Sequence, residues 1–196
     1  MDKIISQVFN HASLKDHPPV LVDIGASGSI HGKWNKIAKY CICVAYDADD
    51  REFSISEDEK NGFKKLYTFN CIVSDQETAQ LDFYLTANPY CSSTLKPNPA
   101  TYSKYVYSDN FILASQTKIN NISLQKSLEK LNLTRVDWFK TDSQGMDLRL
   151  YKNLPADIQK NAIVVEFEPG LMPSYFGEDT AQCILAYMEN MDIWLS

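Results

Sequence analysis

With 196 residues, 44% hydrophobic and 22% charged, the chain reads as one soluble globular domain spanning 1–196, able to bury roughly 70% of its unfolded surface. A formal charge of -6 without any lysine/arginine run argues against a nucleic-acid backbone binder. Five cysteines with no Cys-x-x-Cys pair, no apolar run near 18 residues and no charged-then-apolar leader point to a cytoplasmic protein with free thiols, no structural metal and no membrane span.

In chain order, residues 1–12 read as a lead-in helix with Ile4, Ile5, Val8 and Phe9 on one face. Pro18 and Pro19 precede a first buried strand over 20–25. The strand breaks at once into Gly25, Ala26, Ser27 and Gly28, a loop where a ligand can approach the backbone closely. Asp23 opposes an anion there, because phosphate cradles present bare N–H groups. A partner with a positive or hydroxyl-rich side, such as S-adenosylmethionine (SAM), suits the loop better. An ordinary strand-to-helix turn is the bland alternative.

A short helix around 32–40 follows, with Trp34 in the core. A second apolar run, 41–46, ends at Asp47, and Cys41 and Cys43 share its core face. Residues 50–61 are polar with a helical pattern. Residues 65–73 read as a third strand, and 81–86 as a fourth paired antiparallel beside it.

The segment 87–108 carries three prolines and Tyr90, Tyr102, Tyr105 and Tyr107 without an apolar period, so it reads as a long loop. Its tyrosines either recognise an amphipathic acceptor or pin the loop to the body. Ser123 caps a helix bearing Leu124, Leu128 and Leu131. A strand over 136–140, with Trp138 in the core, ends at Asp142. A helix over about 146–153 stops before Pro155, and 162–167 is a buried strand. The last helix, about 179–191, puts Cys183, Ile184, Tyr187, Met188 and Met191 on one side. Ile193–Leu195 begins another strand.

This alternation predicts a mostly parallel sheet with helices on both faces, binding its ligand outside the carboxyl ends of the strands. Those ends carry Asp23 to Gly28, Asp47, Ser74 with Asp75, Asp142, and Glu166 with Glu168. Asp47 follows Asp23 at close to the roughly 20-residue offset at which an acid meets ribose hydroxyls. A solvated acid at Asp47 and a turn residue at Asp75 are the alternatives.

Three runs together resemble the FkbM-type family of SAM-dependent methyltransferases: VDIGASGSIHGKW (22–34), VDWFKTDSQGMDLRLYKNL (136–154) and IVVEFEP (163–169). Gln144 and Asp147 stand where many relatives carry glutamate. The resemblance implies an α/β, Rossmann-like class I methyltransferase sheet and methyl transfer, usually to oxygen, on a small-molecule or glycan acceptor. It implies that Gly25, Ser27 and Gly28 line the methionine and ribose part of SAM. Asp47 would take the ribose hydroxyls, Ser74 and Asp75 would face the adenine edge, and Asp142 would lie near the ammonium and the acceptor. Asp23 would accept N–H groups of its own loop or reach the amino group through water.

The sulfonium already supplies the electrophile, so alignment and water exclusion carry most of the chemistry. An alcohol also needs a proton acceptor, for which His31, Asp142, Glu166 and Glu168 are the candidates; a solvated His31 and a structural Glu166 are the alternatives. Such sheets normally finish with an antiparallel strand pair, and only Ile193–Leu195 supplies any of it: the chain is shortened, the pair is missing, or a partner covers the edge, and the exposed edge predicts a homodimer through it or modest solubility. Two other classes stay open: a SAM- or nucleotide-binding module without catalysis, and an NAD-dependent oxidoreductase, which the Asp23 loop disfavours.

Overall fold

A computed structural model describes residues 2–49, 51 and 62–191. The polar stretch over 50–61, apart from Arg51, and the Ile193–Leu195 strand with its dimer edge lie outside the described residues. The elements in chain order are α1 (Asp2–Phe9), α2 (Ala12–Asp16), β1 (Val20–Ile24), β2 (Ile42–Asp47), β3 (Lys65–Asn70), β4 (Ile72–Ser74), β5 (Gln80–Thr86) and α3 (Pro99–Tyr102). Then come β6 (Leu113–Ser123), α4 (Leu124–Lys130), β7 (Trp138–Thr141), α5 (Asp147–Lys152), α6 (Ala156–Asn161), β8 (Val164–Phe167) and α7 (Ala181–Glu189).

Five strands form a wholly parallel sheet in the order β3-β2-β1-β7-β8. This order is compatible with a Rossmann-like, doubly wound fold. Every residue of β1 is buried, as a continuous apolar run between two covered faces requires. Side chains alternate between those faces. Val22, Ile24, Val44, Tyr46 and Phe139 pack against α4, α5, α6 and α7 through Leu124, Leu128, Leu150, Tyr151, Ile158, Ile184 and Met188. Leu21, Cys43, Ala45 and Leu66 meet Trp34, Ala38 and Phe63 on the other. The Ser123 hydroxyl caps α4 by accepting Lys126 N–H, and Leu124 and Leu128 are fully buried, each worth roughly 1.5–3 kcal/mol.

Several expected elements differ. The helix expected over 32–40 is two 3-10 turns, 32–34 and 38–40, closed by i→i+3 bonds. Trp34 and Ala38 are buried here as anchors, and the His31 ring caps the first turn by accepting Lys33 N–H. The lead-in helix breaks into α1 and α2, and Ile4 and Val8 remain exposed while Phe9 stacks on Tyr40. Cys183 is exposed rather than on the packed side of α7. Trp138 is half-buried, edge-on to Trp34 at 5.8 Å.

The third strand divides at Cys71. Residues 65–70 stay in the parallel sheet, whereas 72–74 leave it to join a second sheet of order β4-β6-β5. β5 pairs antiparallel with β6, not with the third strand. β6 had no signal in the sequence, because LASQTKINNIS is largely polar and exposed over its first six residues, so no buried face imposes a period-2 pattern there. The 87–108 loop carries only short helical turns, and α6 is a further unpredicted helix.

Candidate functional site

A cleft of about 660 Å³, measured to its open mouth, lies at the carboxyl ends of β1, β2 and β7. This is where the strand order reverses around β1, the usual binding crevice of an open parallel sheet. Its floor is made where two loops touch. Gly25, with φ +80°, and Ala26 both donate backbone N–H to Tyr46 O, and Asp142 N–H bonds Ile24 O. Cys71, Ile72, Val73 and Phe83 form one wall, and the 87–98 loop brings the exposed Tyr90 and the buried Thr94 hydroxyl to the lining.

Asp47 ends β2 and lines the cleft at 6% exposure. Its Oδ1 accepts Asp49 N–H at 2.8 Å, while its buried Oδ2 has no hydrogen-bond partner among the described residues. Burial pushes its carboxyl above the ordinary aspartate value against the opposing pull of the Asp49 N–H and the nearby Ser27 hydroxyl.

Asp142 lines the cleft from the β7 end. Burial, reinforced by the neighbouring Glu168 and Asp147 carboxylates, pushes it up to about 6, with Lys140 and Gln144 pulling the other way. The Gln144 carboxamide connects it to the loops above: Nε2 lies 2.6 Å from Asp142 Oδ1, and Oε1 lies 3.1 Å from the Tyr175 hydroxyl. Gln144 takes a left-handed φ of 54°, and the Ser93 hydroxyl donates to its backbone oxygen at 2.7 Å. Beneath, Asp147 Oδ1 accepts the Thr141 and Ser143 hydroxyls and Ser143 N–H, which ties the 142–146 turn to the start of α5.

The sequence-predicted site residues therefore separate. Gly25, Ser27, Asp47 and Asp142 converge on one cleft. Gly28, at φ +68°, shapes the loop without lining it.

Asp23 does not face the cleft. It is fully buried on the opposite side of the sheet, where its Oδ2 accepts His31 N–H and its Oδ1 pairs with Lys140 Nζ at 3.2 Å. A buried carboxylate requires such compensation, so the acid answers an internal cation and a loop N–H rather than a ligand. Burial opposes the charge on Lys140, but Asp23, Asp142 and Glu168 outweigh it and raise its pKa.

Ser74 is buried and bonds Gln76 within its own turn, and Asp75 is exposed; neither lines the cleft. The division of the third strand at Cys71 is the reason, since it turns β4 away and leaves residues 71–73 as the wall.

His31 and Glu166 also lie outside the cleft lining. Glu166 pairs with Lys33 Nζ at 2.6 Å and approaches His31 Nε2 at 3.9 Å. Despite burial, the Lys33 ammonium above all holds its carboxyl below the ordinary range, so it is a poor proton acceptor at neutral pH.

Residues missed in the sequence reading are Cys71–Val73, Phe83, Thr94, Lys140 and Tyr175. Only Lys140 carried a signal, being a charged residue inside a buried strand. Among the described residues no group of His, Cys, Asp or Glu could hold a metal ion, and no helix is long and apolar enough to cross a membrane. No protein-family model matches the chain, and neither a curated protein nor a solved structure matches it.

Proposed function

We propose that this chain binds SAM in the cleft at the ends of β1, β2 and β7 and methylates a hydroxyl of a glycan or small metabolite. The observation that carries the reading is the orphaned Oδ2 of Asp47, a buried carboxylate oxygen on the cleft wall with no partner among the described residues. Such a group is costly unless a ligand hydroxyl completes it. Gly25 lets the loops after β1 and β7 close together beneath the same cleft, since a Cβ there would stand 2.2 Å from the Asp142 carbonyl oxygen.

The residues present fit that cofactor, whose sulfonium supplies an activated methyl group. Asp47 would accept the ribose hydroxyls. The flat apolar wall of Cys71, Ile72, Val73 and Phe83 would take the adenine, in place of Ser74 and Asp75. Asp142 would face the ammonium and the acceptor, and is the one of the candidate bases His31, Asp142, Glu166 and Glu168 that lines the cleft. Tyr90, exposed on the cleft lining, would exclude water.

Calorimetric titration with SAM, S-adenosylhomocysteine and NAD tests the reading. Binding of both adenosyl ligands and not NAD is expected; NAD binding alone, or no adenosyl binding by folded protein, overturns it. A second reading, a SAM- or nucleotide-binding module without catalysis, is favoured by the engagement of His31 and Glu166 with one another and with Lys33 outside the cleft. Adenosyl binding without methyl transfer to any hydroxyl acceptor would select it.

A further inference from the structure

We infer that in the ligand-free protein the protonation of Asp142 is coupled to the Gln144 carboxamide: the protonated carboxyl is held against the amide oxygen, and Gln144 is a positioning residue whose amide turns over when that proton leaves.

The argument is a count of hydrogens. The Tyr175 hydroxyl lies 2.7 Å from Cys91 O and 3.1 Å from one end of the Gln144 carboxamide, whose other end lies 2.6 Å from Asp142 Oδ1. A tyrosine hydroxyl has one proton to donate, and a backbone carbonyl can only accept. The shorter contact, to Cys91 O, takes that proton. The end of the carboxamide facing Tyr175 must then be the donor, its nitrogen. The two ends are isosteric, so the oxygen faces Asp142 with no heavy atom displaced.

Two oxygens 2.6 Å apart repel unless one bears a hydrogen. The 2.6 Å separation is an ordinary length for an O–H···O bond, which spans about 2.5–3.0 Å. Protonated Asp142 Oδ1 donating to Gln144 Oε1 satisfies all three contacts at once.

The groups around Asp142 agree. The Glu168 and Asp147 carboxylates bear on it, the Asp142 charge in turn raises the Cys91 thiol and the Tyr175 hydroxyl, and Asp47 stands across the same cleft. Lys140, the cation that draws it down, is itself paired with Asp23. Burial and the neighbouring carboxylates push Asp142 up to about 6.

When the proton leaves to solvent, the carboxamide turns over. Its nitrogen then donates to the carboxylate, and its oxygen accepts the Tyr175 hydroxyl, which releases Cys91 O. A glutamate at position 144 could not make this exchange. The protonation itself does not depend on the methyltransferase reading. Its consequence for binding rests on that reading: the SAM ammonium would select ionised Asp142, release a proton, and bind about tenfold more weakly for each pH unit below the midpoint.

The test follows carboxyl-labelled aspartate by NMR in ligand-free protein, with Asp142 assigned by its loss in Asp142→Asn. An Asp142 midpoint near 6, with the Gln144 side-chain amide signals shifting at the same midpoint, is expected. In Tyr175→Phe the amide is free to keep its nitrogen on Asp142, and the midpoint should fall. An Asp142 midpoint near the ordinary value of about 4, or Gln144 signals that ignore it, overturns the inference. Should Tyr175→Phe not fold, co-titration in the unaltered protein decides alone. Failure to bind SAM with the NMR signature intact would count against the proposed function and leave this inference standing.

Discussion

Gly25 and Asp142 approach so closely that a Cβ on Gly25 would stand 2.2 Å from the Asp142 carbonyl oxygen. The position also has φ +80°, where a side chain costs about 1–3 kcal/mol by itself. Gly25→Ala therefore has to separate the loops after β1 and β7. Thermal unfolding should register a loss of at least that size, and calorimetry at a temperature where the variant is folded should show SAM affinity at least tenfold lower. Unchanged affinity would mean that the cleft floor is not where the ligand lies.

Asp47→Asn should separate stability from binding. Its carboxyl is raised by burial, so at neutral pH the ionised form is a cost to the folded state, and the amide removes it. Denaturant unfolding should show equal or greater stability. Affinity for both SAM and S-adenosylhomocysteine should fall at least about tenfold, or roughly 1.4 kcal/mol. A variant that binds normally would remove Asp47 from the ribose role.

The Asp23–Lys140 pair, 0% and 5% exposed, is a buried ion pair whose halves depend on each other. Lys140→Met leaves Asp23 charged without its cation and should cost about 3–5 kcal/mol. Adding Asp23→Asn, which can still accept His31 N–H, should restore at least half of the loss. A double variant as unstable as the single one would assign the cost to the packing of the lysine stem instead. Denaturant midpoints of the three proteins measure this.

Asp142 gives stability a particular pH dependence. Its folded pKa of about 6 lies above the unfolded value of about 3.9, so the folded state binds this proton more tightly. The contribution is fully present below about pH 4 and is lost as pH rises through about 6, a change of at most about 3 kcal/mol. Asp142→Asn lacks it. The difference in unfolding free energy between the original protein and the variant should therefore fall by up to that amount from pH 4 to pH 7. A flat difference would place Asp142 in the ordinary aspartate range.

Much of the layout was legible in the sequence because burial leaves a pattern. The apolar runs of β1, β2 and β7, the Ser123 cap and the acids at strand ends are local records of a sheet covered on both faces, and they delivered Gly25, Ser27, Asp47 and Asp142 to one cleft. β6 left no such record, since most of its residues are exposed and its order comes from pairing with β5 across a long connection. The far end of β6 pairs in turn with 72–74, outside the main sheet, so Ser74 and Asp75 miss the cleft and the apolar residues before them form its wall.

The sequence by itself determined which segments are buried, because hydrophobic periodicity is a property of neighbours along the chain. What Asp23, His31, Glu166 and Gln144 do was decided only in three dimensions. Asp23 and Lys140 stand opposite each other on adjacent strands although more than a hundred residues separate them. A charge takes its role from whatever shares its low-dielectric surroundings, and only the folded chain brings Lys140 to Asp23, Lys33 to Glu166 and Tyr175 to Gln144.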